Sequence, residues 1–251
     1  MTIIVGIRCT DGALIASDTQ AEFGRGVSVK RLNANKIHCF GSYAVAGAGM
    51  VAHIEKAANA IDRGLKAGIK EKGTDLNEDE TVDILEKTIT RVHKEYNIDR
   101  SRFLDDRNER EFFQPLLIFC GVSTLPDGSP HSCLAIVHSA GLVEPIDDYA
   151  TAGSGAAYAE LVLKNYYRAG VSVDEAIPIA IYTVNEVKQI DPGCGGETRV
   201  AVVKEGKLKE LSLQEVGDIA KKTQEPLDIV WKHVIPRVLK REIDVGKLGQ
   251  I

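Results

Sequence analysis

The chain has 251 residues, with 31 Lys+Arg against 36 Asp+Glu, a formal net charge of −5 and 44% hydrophobic residues. That supplies one sizeable core and, at roughly 150 residues per domain, allows one large domain or two small ones. The acidic balance argues against a dedicated nucleic-acid binder, which needs clustered Lys/Arg to neutralise phosphates, and no apolar run approaches the roughly 20 residues that cross a bilayer. The start, Met1-Thr2-Ile3-Ile4-Val5, lacks the basic n-region of a signal peptide, so a soluble cytoplasmic protein is expected. The cysteines (Cys9, Cys39, Cys120, Cys133, Cys194) are odd in number, widely spaced and without a CxxC pair. Neither a disulfide framework nor a zinc knuckle is indicated, and mostly buried thiols are expected.

In chain order, residues 2–8 and 13–19 read as two β-rich runs turning at Asp11-Gly12, a dipeptide suited to a two-residue hairpin. A second pair follows at Lys36–Cys39 and Tyr43–Ala46. An Ala-rich helix is expected over about 49–70. A second helix starts at an Asn77-x-x-Glu80 capping box and carries Val82, Leu85, Ile89, Val92 and Tyr96 on one face. Residues 97–114 are strongly charged and read as an exposed loop or irregular insertion. Strands resume at Pro115–Val122 and Cys133–His138, turning at Pro126-Asp127-Gly128, and end near Tyr149–Ala152. Two more helices follow, the second opening at Ser172-x-x-Glu175 and ending before Pro192, and a last hairpin turns at Glu205-Gly206.

Strands, two helices, strands, two helices, strands, all joined by hairpins, point to antiparallel sheets covered by helix pairs and not to a βαβ repeat. The Gly47-Ala48-Gly49-Met50-Val51-Ala52 run fits a loose GxGxxA pattern, but the acidic residue of a dinucleotide site would fall inside helical sequence. Nucleotide binding is therefore disfavoured. After Leu213 the sequence turns helical again, and Leu227, Val230, Trp231, Val234, Val238 and Leu239 form an apolar stripe behind Pro226, a plausible first helical position, with a kink expected at Pro236. The stripe docks either on its own domain or on a neighbouring subunit.

The opening Thr2-Ile3-Ile4-Val5-Gly6-Ile7 followed by Asp11-Gly12-Ala13-Leu14-Ile15-Ala16-Ser17-Asp18-Thr19 resembles the start of a proteasome β-type subunit, one of the N-terminal nucleophile hydrolases. Asn35-Lys36-Ile37, Ala46-Gly47, Gly153-Ser154-Gly155 and Asp191-Pro192-Gly193-Cys194-Gly195-Gly196 agree in the same order, over roughly residues 2–210. The resemblance implies an α+β fold, a four-layer αββα sandwich of two antiparallel sheets flanked by helix pairs. It divides the chain into a hydrolase domain, residues 1–211, and a C-terminal helical extension, residues 212–251.

It also implies chemistry. Removal of Met1 exposes the α-amine of Thr2, whose pKa of about 7.7–8.0 leaves enough neutral amine to accept the hydroxyl proton of the same residue. By resemblance Lys36, paired with Asp18, depresses that pKa further; the Gly47 N–H stabilises the oxyanion; and Ser154, Asp191 and the residue three further on orient the amine and its water. That last residue is Cys194, where the family usually has serine, and a thiol is the weaker hydrogen-bond partner. Gln20, Ala21, Val45, Gly47, Ala48 and Gly49 are the implied substrate-binding residues, with Val45 at the base of a pocket for apolar side chains. The stretch from Asp18 to Lys36 is longer than usual, so Lys30 and Arg31 are rivals for the lysine role.

The expected activity is that of a self-compartmentalising threonine endopeptidase, a divergent free-standing bacterial or archaeal relative, acting on peptides or unfolded protein as a homo-oligomeric ring or related assembly. No unfoldase partner is legible. Turn carbonyls near Asp191–Gly196 suit a hard cation, yet no ligand set can be read, so no metal or cofactor is expected. The alternatives are a non-catalytic structural subunit of such an assembly, and an N-terminal nucleophile amidase or acyl transferase on small amides.

Overall fold

A computed structural model describes residues 2–23, 29–31, 33–99, 114–125, 129–229 and 236. Strands β1 (Ile4–Cys9) and β2 (Gly12–Asp18) form the first hairpin. Cys9 pairs with Gly12, so the turn residues are Thr10 and Asp11 and not Asp11-Gly12. Gly12 is required for another reason: a Cβ there would lie 2.3 Å from the Val203 carbonyl oxygen of the neighbouring strand. The turn is held from outside, by Thr10 N–H on Val171 O (3.0 Å) and Val173 N–H on the Asp11 carboxylate (2.7 Å).

The next strands are β3 (Ala21–Phe23), β4 (Val29–Arg31), β5 (Ile37–Phe40) and β6 (Tyr43–Ala48). Helices α1 (Val51–Lys72) and α2 (Glu78–His93) follow, the latter closed at its start by the reciprocal Asn77–Glu80 capping bonds, each 2.8 Å. A π-helical turn, Lys94–Asp99, continues α2, so residues 97–99 of the charged segment are helical and not loop; Asn97 reaches back to the His93 ring at 3.1 Å. Residues 100–113 and the Pro126-Asp127-Gly128 turn lie outside the described residues.

The remaining elements are β7 (Leu116–Thr124), β8 (Pro130–Val137), β9 (Val143–Pro145), β10 (Tyr149–Ala152), α3 (Ala156–Tyr166), α4 (Val173–Ile190), β11 (Thr198–Lys204), β12 (Lys207–Glu210) and α5 (Leu213–Ile229). The Ser172–Glu175 capping box opens α4 as expected. Both turn residues of the last hairpin are left-handed, Glu205 at φ 51° and Gly206 at φ 72°, as a type I′ turn demands.

One antiparallel sheet has the order β10-β1-β2-β11-β12 and the other β5-β6-β7-β8-β9, while β3 and β4 pair apart from both. Period-two alternation sorts each strand's side chains between two cores. Val5, Ile7, Leu14 and Ala16 face α3 and α4, whereas Ile4, Ala13 and Ile15 meet Ala44, Ala46 and Ile118 of the second sheet. On that sheet's far side, Val45, Leu117 and Phe119 pack on Ile54, Ile61, Leu85 and Ile89 of α1 and α2. Three cores between four layers make this the αββα sandwich. The step from β6 into α1 leaves an antiparallel sheet, so the glycine run there belongs to no βαβ unit.

Helix α5 begins at Leu213, well before Pro226, because Ser212 and Glu215 form a capping pair (3.2 and 2.8 Å). Its first turns place Val216 and Ile219 in the core beneath α4. The side chain of Leu227, all of Val230, Trp231, Val234, Val238 and Leu239, and the bend expected around Pro236 lie outside the described residues. Among the described residues no helix is long and apolar enough to cross a membrane. Cys9, Cys120, Cys133 and Cys194 are buried, Cys39 is exposed, and all are free.

Candidate active site

Thr2 lies just ahead of β1, at the end of the strand where the two sheets and the Asp191–Gly196 loop converge. It is 8% exposed and its nitrogen donates to Ser154 Oγ at 3.2 Å. The turn that brings Ser154 there depends on Gly153, at φ 99°, where a Cβ would come within 2.1 Å of the Thr2 carbonyl oxygen. The Gly155 N–H then donates to that same oxygen at 3.2 Å. One short turn before α3 thus grips both polar backbone atoms of Thr2.

Asp18 is fully buried at the end of β2. Its Oδ1 accepts the Lys36 ammonium at 2.6 Å and the Ile3 N–H at 3.0 Å; its Oδ2 accepts the Gly195 N–H at 3.0 Å and the Gln20 N–H at 3.2 Å. Four donors satisfy a carboxylate that would otherwise be costly to bury. Because Ile3 follows Thr2, the same oxygen places Lys36 beside the first residues of the chain. Burial pulls the Lys36 ammonium below its usual range, and Asp18, by charge and hydrogen bond, opposes the shift. The side chains of Lys30 and Arg31 lie outside the described residues.

Asp191 caps the end of α4. Ser154 Oγ donates to its Oδ2 at 2.9 Å, Cys194 Sγ approaches the same oxygen at 3.4 Å, and the Gly193 N–H donates to Oδ1 at 2.8 Å. Burial pushes its pKa up, but the Gly193, Ser154 and Cys194 hydrogen bonds outweigh that and hold the carboxyl below its ordinary value. Cys194 shows the reverse: burial first, then the charges of Asp18 and Asp191, push its thiol up to about 12. It is therefore a protonated donor at neutral pH and no nucleophile.

Gly47 pairs with Leu117 on β7 but lies beyond the Ile37↔Ala46 pair that ends the β5–β6 ladder. Among the described residues its β5 edge thus has no strand partner, and a Cβ would meet Ile54 at 2.5 Å. Ala48 is half-buried, Gly49 is exposed at φ 132°, and Ala21 is buried in β3. Val45 is fully buried on the helix side of the second sheet. Gln20 is 4% exposed, and its side-chain amide donates to Pro192 O at 3.1 Å, tying the Asp191–Gly196 loop to the end of β2. So Thr2, Ser154, Asp191 and Cys194 form one hydrogen-bonded group and Asp18 with Lys36 a second, the two joined through the backbone amides of Ile3 and Gly195, with Gln20 bound to the loop and with Gly47 and its neighbours at a separate strand edge.

The sequence profile of the family described as "Proteasome subunit" matches residues 2–203, beginning at the residue whose nitrogen Ser154 holds. The chain belongs to the proteasome subunit family. Among similar proteins are the proteasome subunit beta of Nanoarchaeum equitans, 30% identical over 72% of this chain and 81% of its own length, and proteasome subunit beta 1 of Thermococcus sibiricus, 28% identical over 88% and 95%. The proteasome subunit beta of Haloquadratum walsbyi is 27% identical over 81% of this chain and 74% of its own length.

Within this proteasome-type framework, sequence reasoning overlooked several supports. Thr19 receives the Glu197 N–H on its hydroxyl at 2.8 Å, and the Thr19 and Gln20 amides both donate to Gly195 O, at 3.1 and 2.9 Å. Lys188 donates to Gly196 O. Position was the available signal: Thr19 and Gln20 follow Asp18, and Lys188 stands three residues before Asp191.

Proposed function

We propose that the protein is a threonine-type peptidase whose nucleophile is Thr2 once Met1 has been removed. The observation that carries this reading is the double hold on the start of the chain: Thr2 N on Ser154 Oγ at 3.2 Å, and the adjacent Ile3 N–H on the carboxylate oxygen that also binds Lys36. A nitrogen held there as a free amine can accept the Thr2 hydroxyl proton, directly or through one water. The Lys36 charge favours the neutral amine, and Ser154 with Asp191 orients it.

The Thr2 oxygen attacks a peptide carbonyl carbon; the oxyanion is stabilised by the Gly47 N–H, whose β5 edge lacks a strand partner among the described residues. As the C–N bond breaks, the protonated amine returns its proton to the leaving amine, leaving an ester on Thr2. A water, deprotonated by the same amine, hydrolyses the ester and regenerates the enzyme. Ala21, Ala48 and Gly49 hold the extended substrate, while Val45, fully buried against α1 and α2, backs the strand from its helix side. Gln20 acts through Pro192 to support the loop.

The substrate is a peptide or unfolded protein. The relatives' names describe subunits, and this chain likewise assembles with copies of itself so that the Thr2 sites face an enclosed space. It works in the cytoplasm, and residues 212–251 extend the hydrolase domain. The test is hydrolysis of a panel of fluorogenic peptides and small amides by the protein lacking Met1. Peptide cleavage lost in Thr2→Ala supports the reading; equal cleavage by Thr2→Ala contradicts it.

A further inference from the structure

Lys188 stands in the last turn of α4, where a cation complements the helix dipole. Its ammonium does more than neutralise that end. It donates to Gly196 O at 3.1 Å, at the far end of the loop that leaves α4, and to Thr198 Oγ1 at 2.7 Å, the first residue of β11. Thr198 Oγ1 passes its own proton to Asn185 Oδ1 at 2.8 Å, one helical turn back on α4. One side chain therefore closes the Asp191–Gly196 loop, joining the helix it leaves to the strand it enters.

The loop so closed carries two bonds of the site. Inside it, the Gly193 N–H fixes Asp191 Oδ1 and the Gly195 N–H fixes Asp18 Oδ2, at 2.8 and 3.0 Å. Thr198, which Lys188 holds, is the cross-strand partner of Asp18. The front of the loop is tied by Gln20 to Pro192 O and by the Thr19 and Gln20 amides to Gly195 O. The back is tied by Lys188 to Gly196 O and by the Glu197 N–H to Thr19 Oγ1.

We propose that Lys188 is a positioning residue for the Thr2 site: its ammonium straps the loop so that the Asp18 and Asp191 carboxylates, and through them Lys36 and Ser154, keep their places. Burial draws the Lys188 pKa down, and the charges of Asp18 and Glu197 oppose that shift. The strap touches neither the strand edge at Gly47 nor Ala21, so its loss weakens the chemical step and leaves substrate binding intact.

This inference rests on the peptidase reading, and its test separates the two. In the assembled protein lacking Met1, Lys188→Met, Lys188→Arg and, as a control, Lys66→Met on the exposed face of α1 are compared with the unaltered chain. Hydrogen exchange of the segment 191–198 is read by mass spectrometry, and kcat and KM are read on a cleaved peptide. Lys188→Met is expected to exchange roughly tenfold faster in that segment and to lose roughly tenfold in kcat with KM within about twofold. Lys188→Arg, which still reaches Gly196 O and Thr198 Oγ1, restores both. Unaltered exchange in Lys188→Met, or faster exchange with unaltered kcat, overturns the proposal. If the unaltered protein shows no Thr2-dependent cleavage, the peptidase reading fails, and unaltered exchange alone then overturns the strap while faster exchange sustains it.

Discussion

Lys36 and Asp18 meet at 2.6 Å with neither side chain more than 7% exposed, and the carboxylate oxygen they share also holds the backbone of Ile3. A pair this deep is costly to break from one side, because the remaining charge has no water to turn to. Lys36→Met and Asp18→Asn are each expected to lower unfolding free energy by about 3–5 kcal/mol. The double variant loses clearly less than the two losses together, since no lone charge remains. Urea denaturation of the three variants checks this; additive losses contradict it.

Gly153 gives a geometric prediction. At φ 99°, with Thr2 O 2.1 Å from the position of a Cβ, Gly153→Ala must displace Thr2 itself. A loss of about 2 kcal/mol or more and an activity reduced over tenfold are expected. Gly170→Ala, equally left-handed at φ 84° but with nothing among the described residues within 4 Å, costs about 1 kcal/mol and spares activity. Thermal melts and peptide cleavage distinguish the two.

The Cys194 thiol reaches Asp191 Oδ2 at 3.4 Å and lies 4.0 Å from Ser154 Oγ. A serine hydroxyl would donate more strongly to the same carboxylate. Cys194→Ser is expected to raise kcat about fivefold, equivalent to about 1 kcal/mol, with KM unaltered. An unaltered or lower kcat would show that the thiol is not what limits orientation of the amine.

Asp191 predicts a pH dependence. Its folded pKa lies below the ordinary carboxyl value despite burial, because Gly193, Ser154 and Cys194 stabilise the charged form. The folded chain therefore binds that proton less readily than the unfolded one. The stability this contributes is complete above the unfolded pKa, about 3.9, and fades as pH falls through the folded value. Asp191→Asn removes it: urea midpoints of the variant should lie below those of the unaltered chain at pH 7, with the gap narrowing below about pH 4. A gap constant with pH contradicts this cause.

The sandwich was legible because its signals are local. Asn77–Glu80 and Ser172–Glu175 are capping boxes that act within one turn, and the helical and two-residue periods sort apolar side chains by face. That Thr2, Asp18, Lys36, Ser154, Asp191 and Cys194 belong near one another was legible through family resemblance, which carries spacing over roughly residues 2–210. What stayed hidden depends on contacts between distant segments. The Gly12 position at the first turn is set by Val203, and the roles of Gln20 and Lys188 by a loop whose path no local pattern records.

The central claim is that Thr2 works with its own amine, and the most direct test is the intact mass of the purified native protein after incubation with a peptide epoxyketone. That reagent closes a ring only on a hydroxyl and a free amine of one residue. The account predicts a chain lacking Met1 and heavier by one inhibitor, with no such addition in Thr2→Ala. An unmodified chain still carrying Met1 would contradict it and leave the protein as a structural subunit.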